Sequence, residues 1–245
     1  MSASIPTCLQ ELIKDRLGIT KVIRADKRDM LVRHCIHRVS KTIIDDIDKI
    51  KEDLNRGKQI IICVNNVDTS QTLYKMFSKD YQTKLIHGRF NTRDREKAEQ
   101  GLKINQLLIG TQAIEVSLDI DYDVMYTEIA PFDALLQRFG RVNRKGKKGI
   151  SDIYIYDNYK DCSFIYNDVI VERTDNVLNE IIAKDKSIIL EEKTNEYLDK
   201  VYTEIDMKKY NENEKKLSYI INNLKLGNYN GDAMENMISN DNISI

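Results

Sequence analysis

The sequence predicts an α/β chain with an open, mostly parallel sheet, helices on both of its faces and a helical C-terminal extension. Short apolar runs alternate with longer segments of helical period through the first 160 residues, the pattern of strands joined by crossover helices. The runs Ile60 to Val64 and Leu107 to Ile109 are apolar without interruption, as strands covered on both faces are. With 41% apolar residues in 245, the chain can bury a large core. Sheets of this kind bind ligands at the carboxyl ends of their strands.

The elements follow in order. Met30 to Val39 is the first strand candidate. A helix over Lys41 to Arg56 places Ile43, Ile44, Ile47, Ile50 and Leu54 at helical spacing and stops at Gly57. Gln59 to Val64 is the second strand, and Asp68 to Ser78 repeats the helical design with Leu73, Met76 and Phe77. Lys84 to His87 is the third, and Asn91 is the N-cap candidate of a charged helix over Thr92 to Leu102. Strands at Gln106 to Gly110 and Val124 to Glu128 precede a short helix, Asp133 to Gly140, that opens after Pro131. Asp152 to Tyr156 is the last strand. Beyond Tyr159 the pattern becomes acidic and helical over Asp168 to Ala183, Glu191 to Glu204 and Asn211 to Leu224. The tail 226–245 is rich in Asn, Gly and Ser and is expected to be disordered.

Charge divides the chain more sharply than its net value of -1 suggests. Residues 1–150 carry 27 Lys and Arg against 20 Asp and Glu, whereas 151–245 carry 11 against 19. A polyanion would therefore meet the first part. No stretch approaches the roughly 18 uncharged apolar residues of a membrane span, and the N-terminus lacks a secretion-signal pattern. A cytoplasmic location with no membrane partner is expected. Cys8, Cys35, Cys63 and Cys162 form no CxxC pair, against a zinc ribbon, a redox motif or a disulfide scaffold.

Four strings carry candidate chemistry. In Gln137 to Arg144, QRFGRVNR, arginines recur every three residues at 138, 141 and 144 and so lie close to one face. Guanidinium forks suit phosphate oxygens, so this is either an anion site or a solvated basic helix end. Thr111 and Gln112 follow a buried strand, where they would present donors to a phosphate. Asp119, Asp121 and Asp123 alternate, which fits a divalent metal, a ribose contact or a solvated turn. His87 to Phe90 ends a strand beside a helix N-terminus, a phosphate contact or a plain turn. His34, Cys35 and His37 raise a zinc reading, but His34 and Cys35 are strand neighbours pointing to opposite faces, so no metal is assigned.

The sequence has no GxxxxGK[ST] loop and no Asp-Glu dipeptide, so it carries arginines for a transferring phosphate without the groups that hold a nucleotide and its Mg²⁺. Together the strings resemble the second RecA-like domain of superfamily 2 helicases, and in particular the C-terminal half of the CRISPR-associated helicase-nuclease of type I systems. QRFGRVNR resembles helicase motif VI, and TQAIEVSLDIDYDVMYTEIAPFDALLQR the motif V region with its EVSLDID core. IIICVNNVDTSQTLY resembles motif IV, HGRF the segment after it, and MSASIP motif III, with SAS in place of Ser-Ala-Thr. The likeness runs from residue 1 to about 160 and divides the chain into 1–29, the end of a first RecA-like domain and a linker, 30–160, the RecA-like domain, the acidic extension 161–225 and the tail 226–245.

The resemblance implies residue roles. Arg141 and Arg144 would be arginine fingers on the γ-phosphate, with Gln137 polarising that phosphate or its attacking water; such a finger is worth ~10³ to 10⁵ in rate. Asp119 and Arg138 would contact the nucleotide, Asp119 at the ribose or as a link to motif VI. Asn66, Arg89, Thr111 and Gln112 would contact the DNA backbone. The implied ligands are ATP with Mg²⁺, in a site shared with a first RecA-like domain that the sequence does not include. The implied partners are single-stranded DNA, a polypeptide carrying that domain and possibly the HD nuclease, and the type I surveillance complex. The chain is expected to be part of an ATP-dependent DNA helicase that cannot hydrolyse ATP alone. The alternatives are a stand-alone single-stranded nucleic-acid-binding module and an inactive remnant of an interrupted helicase gene.

Overall fold

All six expected strands form one sheet in the computed structural model, which describes residues 5–19, 21, 32–102, 105–115, 118–158, 162 and 165–203. The strands are β1 (His34–Val39), β2 (Ile60–Cys63), β3 (Thr83–Ile86), β4 (Leu107–Gly110), β5 (Val124–Glu128) and β6 (Ser151–Tyr156), in the order β1-β6-β5-β2-β4-β3. Every pairing between these six strands is parallel, with one antiparallel bridge, Cys35 to Ile188, on the outer edge of β1. The central strands β2, β4 and β5 are buried along their whole length, which is why their sequences carry no polar alternation.

The crossover helices are α2 (Ile47–Asn55), α3 (Val67–Phe77), α4 (Thr92–Glu99) and α5 (Phe132–Phe139). The first of these was expected from residue 41. Its start is a 3-10 turn, Ile44–Asp46, entered through a reciprocal Thr42 and Asp45 cap in which Thr42 Oγ1 donates to Asp45 Oδ2 at 2.6 Å. Ile50 and Leu54 of α2 and Leu73 and Phe77 of α3 pack on Ile60, Ile62, Leu107, Ile109, Tyr126 and Tyr156. Each such side chain contributes about 1.5–3 kcal/mol on burial. The two buried tyrosines keep their hydroxyls paired, Tyr126 donating to Asp53 at 2.6 Å and Tyr156 to Asp46 at 2.7 Å, so neither costs an orphaned donor. Asn91 caps α4 as its sequence predicts, accepting from the Asp94 amide at 2.9 Å.

Two regions differ from the domain boundaries drawn on the sequence. Residues expected to be the end of another domain and a linker include helix α1 (Thr7–Leu17), closed by Gly18 in the left-handed region. The α1 end is tied to helix α7 (Thr194–Val201), since the Thr7 amide and hydroxyl both donate to Asp199, at 2.6 and 2.7 Å. Helix α6 (Asp168–Lys184) and α7 belong to the same compact unit as the sheet, which runs to Val201, so the domain does not end at residue 160. Phe132 of α5 explains this: its amide donates to Thr174 of α6 at 3.1 Å and its ring meets Tyr197 of α7 edge-on at 5.9 Å. The Ser2 to Ser4 motif, the helix at Asn211 to Leu224 and the tail 226–245 lie outside the described residues. No described helix is long and apolar enough to cross a membrane.

Candidate functional site

The segment leaving β4 and the helix leaving β5 run side by side from the carboxyl to the amino ends of the strands, and their contacts form a ladder. At the top, Gln112 Nε2 donates to the Asn65 carbonyl at 3.4 Å, just beyond β2. One step down, Glu115 accepts from Arg138 at 2.9 Å. At the bottom, Arg141 and Arg144 both donate to the Leu118 carbonyl, and the Asp121 carboxylate accepts the Arg144 amide at 2.8 Å. Tyr122 bridges Val142 immediately before β5 begins. Arg33, before β1, donates to the Arg144 carbonyl at 3.0 Å. The two arginines therefore sit at the amino ends of β1 and β5, not at the carboxyl ends where the fold class led us to expect the ligands. The cause is the path of α5, which runs back along the sheet and delivers the turn beyond it, with Arg141 and Arg144, to that end.

Arg141 and Arg144 form a concentrated positive site. Arg141 Nη2 donates to the Glu115 carbonyl at 2.5 Å, and its Nε is buried with no hydrogen-bond partner among the described residues. Arg144 is 45% exposed and 3.6 Å from Asp119, itself largely exposed. Burial, and then the Arg144 charge, lower the Arg141 pKa, with Asp119 opposing. The guanidinium stays charged because an arginine at these positions starts far above neutrality. An incoming anion would relieve the repulsion and satisfy the orphaned Nε. Gln137 is exposed on α5, four residues before Arg141. These groups fit phosphate oxygens. The aspartates do not form a cage for Mg²⁺, because Asp121 accepts the Arg144 amide and Asp123 accepts from Lys148 at 2.6 Å.

Arg138 stands apart from its two companions. The resemblance implies a nucleotide contact for it, but it is completely buried. It donates to Glu115 at 2.9 Å, to Thr127 Oγ1 at 2.9 Å, to the Glu128 carbonyl at 3.1 Å, to Asn65 Oδ1 at 3.1 Å and to the Tyr166 hydroxyl at 3.1 Å. The reason is where the helix ends: α5 stops at Phe139, with position 138 on its sheet-facing side and 137 on its outer side, and the turn that follows Gly140 carries Arg141 and Arg144 away from the face that a continued helix would share with Arg138. Burial opposes its charge, but the surrounding groups, with Cys63 and Tyr166 beside it and Glu115 paired to it, outweigh that penalty. Burial also pushes the Glu115 carboxyl upward, and Arg138 pulls it back. One guanidinium thus joins the end of β2, the segment after β4, the end of β5 and the start of the C-terminal helices.

The expected nucleic-acid residues do collect at the carboxyl ends of β2, β3 and β4, yet each is committed differently. Arg89 is exposed and pairs with Asp68 at 3.3 Å. Asn66 is half-buried, and its side-chain oxygen caps α3 by accepting the Asp68 amide at 2.8 Å. Gln112 is half-buried against Asn65. Thr111 is buried, held by its amide donating to the Ile86 carbonyl at 3.1 Å, so its hydroxyl is not offered at the surface. Gly110 is what permits that approach, since a Cβ there would overlap the Ile86 carbonyl oxygen and the Ile114 side chain. His87, half-expected as a phosphate contact, is buried against the Phe90 ring at 4.1 Å.

A residue missed in the sequence organises the arginine end. Asn143, buried inside QRFGRVNR, adopts a positive φ of 46°. Its side chain donates to the Gly149 carbonyl at 2.6 Å and accepts the Lys148 amide at 3.1 Å. Asparagine tolerates the left-handed region better than other non-glycine residues, and this turn holds Arg144 over Leu118. An Asn followed by a glycine three residues on was the available signal.

Residues 56–147 match the family described as CRISPR-associated nuclease/helicase Cas3, C-terminal. This segment is a Cas3-like C-terminal helicase domain. A CRISPR-associated nuclease/helicase Cas3 from Streptococcus thermophilus is 32% identical over 163 residues, which cover 57% of this chain and 17% of that protein. A CRISPR-associated helicase Cas3 from Thermoproteus tenax is 32% identical over 160 residues, 62% of this chain and 27% of that protein. The chain thus spans well under a third of the length of these relatives. The Cas3-like domain also superimposes on T. fusca Cas3-ADP with a TM-score of 0.63 at 17% identity, covering 84% of this chain and 28% of that one, which establishes the RecA-like fold. The ladder between the two segments, and both arginines, fall within the matched residues.

Proposed function

We propose that the Cas3-like domain is one wall of an ATP site shared with a first RecA-like domain, and that it holds single-stranded DNA at the carboxyl ends of β2, β3 and β4. The observation that carries the reading is the convergence of Arg141 and Arg144 on the Leu118 carbonyl, with a buried Nε still without a partner. Such a pair is set for the developing charge of a transferring phosphoryl group, where positioned cations act. Gln137 orients that phosphate or its attacking water, and Asp119 meets the ribose or steers Arg144. Mg²⁺ is held by the partner domain. Arg138 is a positioning residue that sets the spacing between the phosphate end and the DNA end.

At the DNA end, Arg89, Asn66 and Gln112 meet the phosphate backbone, and Thr111, buried with its amide on the Ile86 carbonyl, holds the start of the segment that carries Gln112. Contacts of this type are independent of sequence and weaken with salt. Relatives named as CRISPR-associated nuclease/helicases support a CRISPR setting; on this reading the DNA comes from a type I surveillance complex and an HD nuclease is a further partner.

The test is DNA-stimulated ATP hydrolysis by this chain alone and mixed with a polypeptide carrying a Cas3-type first RecA-like domain. Activity in the mixture only is the expected result. Silence in both, with salt-sensitive DNA binding retained by Arg141→Ala, would identify a binding module instead. Silence without binding would identify an inactive remnant.

A further inference from the structure

We propose that Cys35, His37 and Asp152 form a zinc site on the edge of the sheet, separate from the phosphate and DNA ends. Cys35 and His37 are two apart on β1 and so share a face, and the parallel register sets Cys35 directly opposite Asp152 on β6. Each offers one ligand atom, and the three atoms lie within 4.8 Å of one another. His37 Nε2 and Asp152 Oδ1 are 2.8 Å apart, and the imidazole is stacked on Tyr154 at 4.9 Å, which restricts its ring orientation. Donors around a tetrahedral zinc lie roughly 3.3–3.7 Å apart, so side-chain rotations suffice to close the set.

The chemistry of the three donors selects the ion. A thiolate, an imidazole and a carboxylate suit zinc; Mg²⁺ and Ca²⁺ would take oxygens alone. Three protein ligands leave one position for water. Among the described residues His37 is the one ion-pair partner of Asp152, so no lysine or arginine neutralises the carboxylate. All three side chains are half-exposed, which gives an ion access. Binding converts the Cys35 thiol to a thiolate and releases its proton to water.

The site is independent of the phosphate end. His34, the strand neighbour of Cys35, faces the α5 side, where its Nε2 meets the Val142 carbonyl at 2.8 Å. Cys35 therefore faces the other side of the sheet, and so do His37, Asp152 and Tyr154. A bound zinc would pin the edge strand β1 to β6. On its outer side β1 meets the short segment around Ile188, which bridges Cys35.

The experiment uses the full chain, stripped of metal and reduced. Zn²⁺ is titrated against a chelating indicator, and Co²⁺ is used as a spectroscopic probe. One equivalent of Zn²⁺ should bind, and Co²⁺ should give a thiolate charge-transfer band in the near ultraviolet. Cys35→Ser and His37→Ala should each weaken binding at least tenfold, Cys35→Ser should abolish the band, and Cys8→Ser should change neither. A band that survives Cys35→Ser, or zinc affinity unchanged in both ligand variants, overturns the site. Should a variant fail to fold, alkylation of the unaltered protein decides: protection of Cys35 by Zn²⁺ supports the site, and equal labelling with and without it rejects the site. None of these readings depends on ATP or DNA, so the zinc site and the helicase reading can fail separately.

Discussion

The two ends of the ladder beside α5 use the same kind of side chain in opposite ways. At the amino ends of the strands, Arg141 and Arg144 share one carbonyl, repel each other and leave a buried donor without a partner. At the carboxyl ends, the lone exposed arginine of the group, Arg89, already has its carboxylate, and Asn66 and Gln112 hold local structure. The first end is pre-organised and unsatisfied, so it gains most from a compact anion. The second is satisfied and shallow, suited to many weak contacts along a polymer. Between them Arg138 is neither, because all three of its nitrogens are taken by protein acceptors.

This difference predicts effects of different kind and size. Arg141→Ala should lower ATP turnover of the reconstituted pair by about 10³-fold or more while DNA affinity stays within a few-fold; loss of both together would mean that the two ends are not separable. Arg138→Ala should cost about 3–5 kcal/mol in denaturant unfolding, because it strands the half-buried Glu115 carboxylate and four other acceptors. Arg138→Lys should recover part of that stability but not the fork that spans Asn65 and Thr127, so turnover should recover less than the melting point.

Smaller effects test the DNA end. Gly110→Ala should destabilise by about 1–3 kcal/mol through overlap with the Ile86 carbonyl, read as a lower urea midpoint with an unchanged slope. Arg89→Ala should be the mildest change, weakening single-stranded DNA binding a few-fold and reducing the salt slope by about one while leaving stability intact. An Arg89→Ala variant with unaltered salt dependence would remove this end from the DNA path.

The elements themselves were legible because burial on both faces writes an unmistakable pattern. Ile60 to Val64 and Leu107 to Ile109 could hardly be anything but covered parallel strands, and the strand candidates all reappear within a few residues. Helix α1 was not legible, because its amphipathic face is weak and its partner Asp199 lies 192 residues away. The same distance effect hid the union of the C-terminal helices with the sheet, which rests on Phe132 meeting Thr174 and Tyr197.

For the site, sequence by itself supplied the composition: three arginines at a spacing of three, a motif order, and a covered parallel sheet to carry them. It could not say which of the three would turn inward. That depends on how α5 packs on the sheet and on its ending at Phe139: packing puts Arg138 in the core, and the turn beyond Gly140, with Asn143 at positive φ, holds Arg141 and Arg144 outside it. Nor could it bring Asp152 to Cys35, since residues on neighbouring strands meet only through register. Local order along the chain sets which chemistry is present; the packing of distant segments sets which groups share a place and which remain unsatisfied.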